Sequence, residues 1–213
     1  MVVNACWPLG QLGPLRSLES HLSDNKLVIH PVDATATFPN FNLLLVGLHE
    51  IGLIREPATQ NVHIPQGHRF FELIHFASSH GAIVFNPDYE TSCETDSKTL
   101  CQIEIDGPTE EIRFLGAASI EDPYCKHCQS LIGSWYDVVS VWFEDPESFS
   151  FSCGKCGESA MPWGLDWKHT NGFGRLGIDI WHVHRGEAIP SPELMEFLAQ
   201  ETGVVWDYFY FHC

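Results

Sequence analysis

The chain has 213 residues, 44% of them hydrophobic, and carries 28 acidic against 11 basic side chains for a net charge of −17. That length and apolar content support a sizeable folded core in one large domain, or one domain with a small insertion. The charge repels phosphate backbones, which weighs against nucleic acid, and no apolar run reaches the length needed to cross a membrane.

In chain order, Pro14 to Leu22 places Leu15, Leu18 and Leu22 at helical spacing, and Leu27 to Val32 reads as a strand. Asn40 is placed to cap a helix whose stripe is Phe41, Leu44, Leu45 and Leu48, ended by Gly52. Gly67 to His80 reads as a helix with Phe70, Leu73, Ile74 and Ala77 inward, followed by a strand at Ala82 to Phe85 and a polar stretch from Asn86 to Thr99. Gln102 to Asp106 and Glu111 to Leu115 read as a hairpin around Asp106-Gly107-Pro108. Tyr136 to Phe143 and Ser148 to Ser152 are expected as strands separated by the acidic turn Glu144-Asp145-Pro146-Glu147. Leu176 to Val183 predicts a strand. A helix follows, capped by Ser191, opened by Pro192, striped by Leu194, Phe197 and Leu198 and stopped by Gly203; the aromatic strand Val204 to Phe211 closes a β-α-β unit.

The strongest chemical signal is the pair of CxxC motifs, Cys125 with Cys128 and Cys153 with Cys156, with 24 residues between them. Each pair can aim two thiolates from a tight knuckle at one tetrahedral ion, and Cys-Gly-Lys-Cys-Gly supplies glycines where such a turn needs unusual backbone angles. The pattern resembles a zinc ribbon. The resemblance covers about Asp122 to Ala160 and implies one structural Zn²⁺ per chain, with iron as the competing metal since four cysteines also suit a rubredoxin-like site. A redox disulfide fits less well, because that motif occurs once, at a helix start after a strand. The remaining cysteines, Cys6, Cys93, Cys101 and Cys213, are irregularly spaced and point to a reducing compartment. With no Lys or Arg before Arg16, and with Asn4 and Pro8 interrupting the apolar residues, the expectation is a chain without a signal peptide, in the cytoplasm.

The organisation expected is α+β: a mixed β-sheet with packed helices, an N-terminal region at 1–121, a zinc-ribbon insertion at 122–160, and a β-α-β unit at 161–213 that completes the main domain. An offset of 151 lays Ile29 on Ile180, Val32 on Val183, Pro39 on Pro190, Leu43 on Leu194, Glu50 on Glu201 and Gly52 on Gly203, which would make the two β-α-β segments related halves. The closing pattern Gly-Glu-Ala-Ile-Pro-Ser-Pro-Glu-Leu, then Thr-Gly and Trp-Asp-Tyr-Phe-Tyr, is similar to that of some uncharacterised bacterial proteins. It covers Phe173 to Cys213, implies a bacterial origin and the β-α-β arrangement, and carries no activity.

Two histidine groups invite a catalytic metal: His68, Glu72 and His75 at i, i+4, i+7, and His182 with His184, alternating on a strand beside His212 and Cys213. Solvent-facing and packed histidine are the plainer readings of both. No nucleophile elbow, dinucleotide loop or phosphate-binding loop is present. Trp163, Leu165 and Trp167, in an aromatic loop beside the ribbon, are the candidate partner contact. The expected function is a non-enzymatic, zinc-stabilised acidic protein that binds another, basic protein, of immunity or adaptor type. The alternative is a metal-dependent hydrolase using a histidine group apart from the structural zinc.

Overall fold

The structure, a computed structural model, describes residues 25–57, 64–77, 102–116, 121–146 and 149–212. The helix expected at Pro14 to Leu22, the strand at Ala82 to Phe85 and the polar stretch from Asn86 to Thr99 lie outside them.

The first elements are β1 (Lys26–Pro31), α1 (Phe41–Glu50), α2 (Phe70–Leu73), β2 (Ile74–Phe76), β3 (Ile103–Asp106), β4 (Arg113–Phe114) and α3 (Trp135–Glu144). They are followed by β5 (Phe151–Ser152), β6 (Ser159–Ala160), β7 (Phe173–Gly174), β8 (Gly177–Trp181), β9 (Ala188–Pro190), α4 (Pro192–Thr202) and β10 (Trp206–Phe211). The fold is mixed α+β. Its main sheet has the order β10-β1-β8-β3, with each adjacent pair antiparallel. Thus β1-α1-β3 and β8-α4-β10 are two β-α-β segments, each straddling a strand of the other, which is the split β-α-β arrangement of ferredoxin-like folds.

Both helices lie on one face of this sheet. Leu44, Leu45 and Leu48 of α1 and Leu194 and Leu198 of α4 join Leu27, Ile29, Ile103, Ile105, Ile178 and Ile180 in one core. Each such side chain, fully buried, contributes roughly 1.5–3 kcal/mol. The helices touch closely at Gly47, where a Cβ would stand 2.7 Å from the Phe197 ring. Ser191 caps α4 by accepting the Leu194 N–H at 3.1 Å, and Gly203 ends it at φ +73°, as Gly52 at φ +86° follows α1. The two halves nevertheless do not superpose residue by residue. Leu43 is 63% exposed where Leu194 is fully buried, and Val32 is exposed where Val183 is not; Leu44 takes the inward place.

Four expected elements are corrected. Of the described part of the segment expected as a helix, residues 67–77, only Phe70–Leu73 is helical; Ile74 turns extended so that β2 pairs with β9, a partner more than 100 residues away. The segments at Gln102 to Asp106 and Glu111 to Leu115 do not pair with each other. Instead β3 runs beside β8 and β4 beside β7, because Gly107, at φ +117° with its Cα against the Arg175 carbonyl, carries the chain onward rather than back. Tyr136 to Phe143 is not a strand but lies within α3, whose Val138, Val139 and Trp142 form a buried helical stripe. Burial of that stripe against Leu165, Trp167 and Phe173 overrides the strand preference of its aromatic and β-branched residues. The second expected ribbon strand shrinks to Phe151–Ser152, paired with β6.

Candidate metal centre

The two CxxC segments fold into matching knuckles. In the first, the Cys125 N–H donates to the Ser130 carbonyl at 2.9 Å and the Gln129 N–H to the Cys125 carbonyl at 2.9 Å. In the second, the Cys153 N–H donates to the Glu158 carbonyl and the Gly157 N–H to the Cys153 carbonyl, both at 2.8 Å. The residue after the second cysteine is left-handed in each: Gly157 at φ +75°, as its lack of a Cβ permits, and Gln129 at φ +55°. Gln129 is held there by its amide, which donates to the Cys125 and Lys126 carbonyls.

These turns bring the four sulfurs within 4.8 Å of one another, with Cys125 to Cys156 at 3.7 Å and Cys128 to Cys153 at 3.6 Å. Four sulfurs bound at tetrahedral angles around Zn²⁺ would stand about 3.8 Å apart. The donor set and spacing therefore fit a tetrahedral ion of zinc size, and Cys125, Cys128, Cys153 and Cys156 are positioned to hold one. Cys125 and Cys153 are buried, Cys128 is half-buried and Cys156 is exposed.

Electrostatics around the sulfurs favour a cation. The Ser130 hydroxyl lies 3.0 Å from the Cys128 sulfur and 3.3 Å from that of Cys153. With the backbone N–H groups of Cys156 and Lys155 it holds the Cys153 thiol down to about 6, and it lowers Cys128 as well. At Cys156 the Glu158 N–H pulls downward, but burial and the crowding of Cys128, Cys153 and Cys125 push the thiol up to about 12. Four thiolates in contact repel one another; a dication removes that repulsion.

The segment after β6 ties the knuckles to the rest of the molecule. Tyr124 and Asp166 exchange two backbone hydrogen bonds at 2.8 Å, and Lys168 donates to Gln129 at 2.8 Å. Asp122 accepts the Trp135 N–H at 2.8 Å, so the loop between the knuckles starts α3 with a cap from outside the helix. A cavity of about 320 Å³ opens beside Cys125 and Cys153, lined further by Lys126, His127, Phe151 and Glu158.

The aromatic loop expected as a partner contact turns inward. Leu165 is 4% and Trp167 6% exposed, packed with Phe173, while Trp163 is half-buried and the Trp167 indole donates to the Pro162 carbonyl. Its aromatics fill the space under α3, so the loop is a packing element. Among the described residues the histidine groups do not gather into a metal cluster. His68 precedes α2, Glu72 pairs with Arg69 at 2.7 Å, and His75 lies in β2, so no single helix face carries the three. His182, at φ +62°, takes the chain out of β8, so it does not alternate with His184 along a strand. His184 and His212 are both hydrogen-bonded to the side chain of Asn25, which was not among the expected site residues. Cys213 lies outside the described residues. Among the described residues, the four cysteines are the one group of three or more potential ligands close enough to hold an ion.

Ser130 and Asp122 were also missed; Ser130 had a signal, standing two residues after a CxxC. A His169–Asp207 contact at 2.7 Å, between residues 38 apart, had none. No helix among the described residues is long and apolar enough to cross a membrane. Comparison with protein-family models, with curated proteins and with solved structures finds no match.

Proposed function

We propose that the protein is a zinc-stapled, acidic binding protein without catalytic activity, whose metal centre fixes a protein-contact surface. The observation that supports this reading is the four-sulfur cluster: bound to a tetrahedral ion, it would fill every position with protein ligands and leave none for a substrate. Zinc is favoured over iron on the general occurrence of such closed sites.

The contact surface is the outer side of α3. The stretch from Ser130 to Gly154, closed at both ends by the metal knuckles, contains no Lys, Arg or His and carries Asp137, Glu144, Asp145 and Glu147. Beside the Asp137 and Glu144 carboxylates, Tyr136 is 55% and Val141 47% exposed. Acidic groups flanked by exposed apolar ones suit a basic amphipathic segment, with the net charge of −17 speeding its approach. An immunity or adaptor role is the version of this that the charge supports.

Elemental analysis of the full chain should give one zinc, lost when the ribbon cysteines are replaced. Binding of an arginine-rich amphipathic helical peptide, followed by calorimetry at low and moderate salt, should weaken on Tyr136→Ser with Val141→Ser, which leave the charge unchanged. A second, histidine-bound metal would overturn the non-catalytic reading. Peptide affinity untouched by the two substitutions would remove α3 as the surface.

A further inference from the structure

We propose that β10 is the seam of a homodimer, in which two copies pair antiparallel through this strand about a two-fold axis at Tyr208. The proposal stands on backbone geometry and does not depend on the metal or on the α3 surface.

The free edge of β10 is fixed by register. The Val32 N–H donates to the Val205 carbonyl at 2.8 Å, which makes that pair, and every second pair along the ladder to Lys26↔Phe211, the hydrogen-bonded kind. Asp207, Phe209 and Phe211 therefore spend their backbone groups on β1, and Trp206, Tyr208 and Tyr210 aim theirs away from the sheet. The opposite edge is treated differently: on β3 the Ile103 carbonyl accepts the Ile64 N–H at 2.7 Å. Among the described residues, no strand or bridge takes the outward groups of β10, and the bond found among them runs from the Tyr208 N–H to the Asp207 carboxylate at 2.8 Å. This six-residue edge has no Lys, no Pro and no bulge to discourage pairing.

A second copy fits this edge in one register. With Tyr208 opposite its own counterpart, Trp206 faces the partner's Tyr210 and all three outward residues find partners, the Asp207 carboxylate yielding the Tyr208 N–H to the partner's carbonyl. On the helix side this sets the half-buried Tyr208 against its own counterpart with Tyr210 next along the strand, cross-strand aromatic contacts that stabilise antiparallel pairs, while Trp206 stays in its own core. On the other side Val205, 68% exposed, comes opposite the half-buried Phe211 of the second copy, and Asp207 opposite its Phe209. Sliding by two residues in one direction would set Asp207 against Asp207, and in the other would set Trp206 opposite residue 212, past the end of the strand. The Asp207 carboxylate already accepts a hydrogen bond from the His169 ring at 2.7 Å. The long-range repulsion between two chains of −17 is screened by salt.

Sedimentation velocity on the full chain, from micromolar to millimolar concentration, should reveal a monomer–dimer equilibrium that tightens as salt is raised. In parallel, hydrogen exchange should show the amides of Trp206, Tyr208 and Tyr210 gaining protection with concentration while those of the α1 surface do not. Val205→Lys should weaken association at least about tenfold, whereas Leu43→Lys, at an equally exposed apolar site on α1, should leave it unchanged. Tyr208→Pro, tolerated where a strand N–H points outward, should act like Val205→Lys. A monomer at every concentration and salt would overturn the proposal, as would a dimer whose edge amides exchange as fast as in dilute solution. A basic peptide that protects those amides while the chain stays monomeric would likewise overturn it and assign the edge to another occupant.

Discussion

Replacing Lys26 by Met should destabilise the protein in a pH-dependent way, because Lys26 is the counter-ion of a carboxylate that burial disfavours. Asp179 lies in the middle of the main sheet, 3% exposed, and burial pushes its carboxyl up to about 6, against the attraction of Lys26 and with help from Asp106 and Glu104. Lys26 meets it in an ion pair and lies over the Trp181 and Phe211 rings, 4.7 Å from each. A folded value of about 6 against 3.8 means that the folded chain holds this proton more tightly than the unfolded one. Stability therefore falls as pH rises through that window, by about 3 kcal/mol at 1.36 kcal/mol per unit. Above it the carboxylate is charged and depends on Lys26, and removing one partner of a buried pair costs about 3–5 kcal/mol. Below the folded value of about 6 the folded Asp179 is mostly protonated, and the same substitution should cost no more than about 1 kcal/mol. Urea unfolding followed by tryptophan fluorescence, at about pH 7.5 and about pH 5, measures the difference between variant and parent at each pH, so the metal's own pH dependence cancels. An equal loss at both values would refute the account. Lys26→Met combined with Asp179→Leu should recover most of the loss at the higher pH, since an apolar pair of similar volume replaces the ion pair.

Cys153→Ser should abolish stoichiometric metal binding and unfold the segment between the knuckles, since structural zinc contributes on the order of 10 kcal/mol to such modules; metal content and near-ultraviolet dichroism read this. Gly67→Ala places a Cβ 2.2 Å from the Gly52 carbonyl oxygen, and should cost about 1–3 kcal/mol or more in urea unfolding because both groups are backbone. Ser191→Ala removes the cap on the Leu194 N–H and should cost about 1 kcal/mol, visible as a lower urea midpoint with an unchanged slope.

What the sequence made legible follows the range of the forces involved. The α4 segment was readable to its caps because Ser191, Pro192 and Gly203 act within one or two turns of themselves. The cysteine cluster was readable because metal geometry imposes a spacing that few other demands produce, and each knuckle closes its own hydrogen bonds. Elements chosen by distant partners were not. Ile74 to Phe76 became a strand on account of Ala188 to Pro190, and α3 became a helix on account of Phe173 and Trp167. The same rule explains the aromatic loop: Trp163 to Trp167 looked like an exposed contact because nothing local could bury it, and α3, once helical, is what covers it.

That last coupling bears on what the metal does. The loop between the knuckles contains α3, and α3 has ten residues, shorter than a helix needs to persist alone in water. It is held by two things at once: its inward stripe on the Trp167 and Phe173 rings, and the knuckles that close the loop around it. The stripe fixes which side of the helix faces inward, with Tyr136 and Val141 left outside it. The knuckles hold the two ends of the loop, and the Asp122 bond to the Trp135 N–H fixes where the first turn begins. Metal loss should therefore alter the surface presented by α3 before it disturbs the main sheet, whose core of Leu27, Ile29, Ile178 and Ile180 lies in a separate cluster. Hydrogen exchange on the chelated chain would separate the two: early loss of protection in α3 with β1 and β8 unchanged is the expected order, and simultaneous loss would mean that the knuckles support the whole fold.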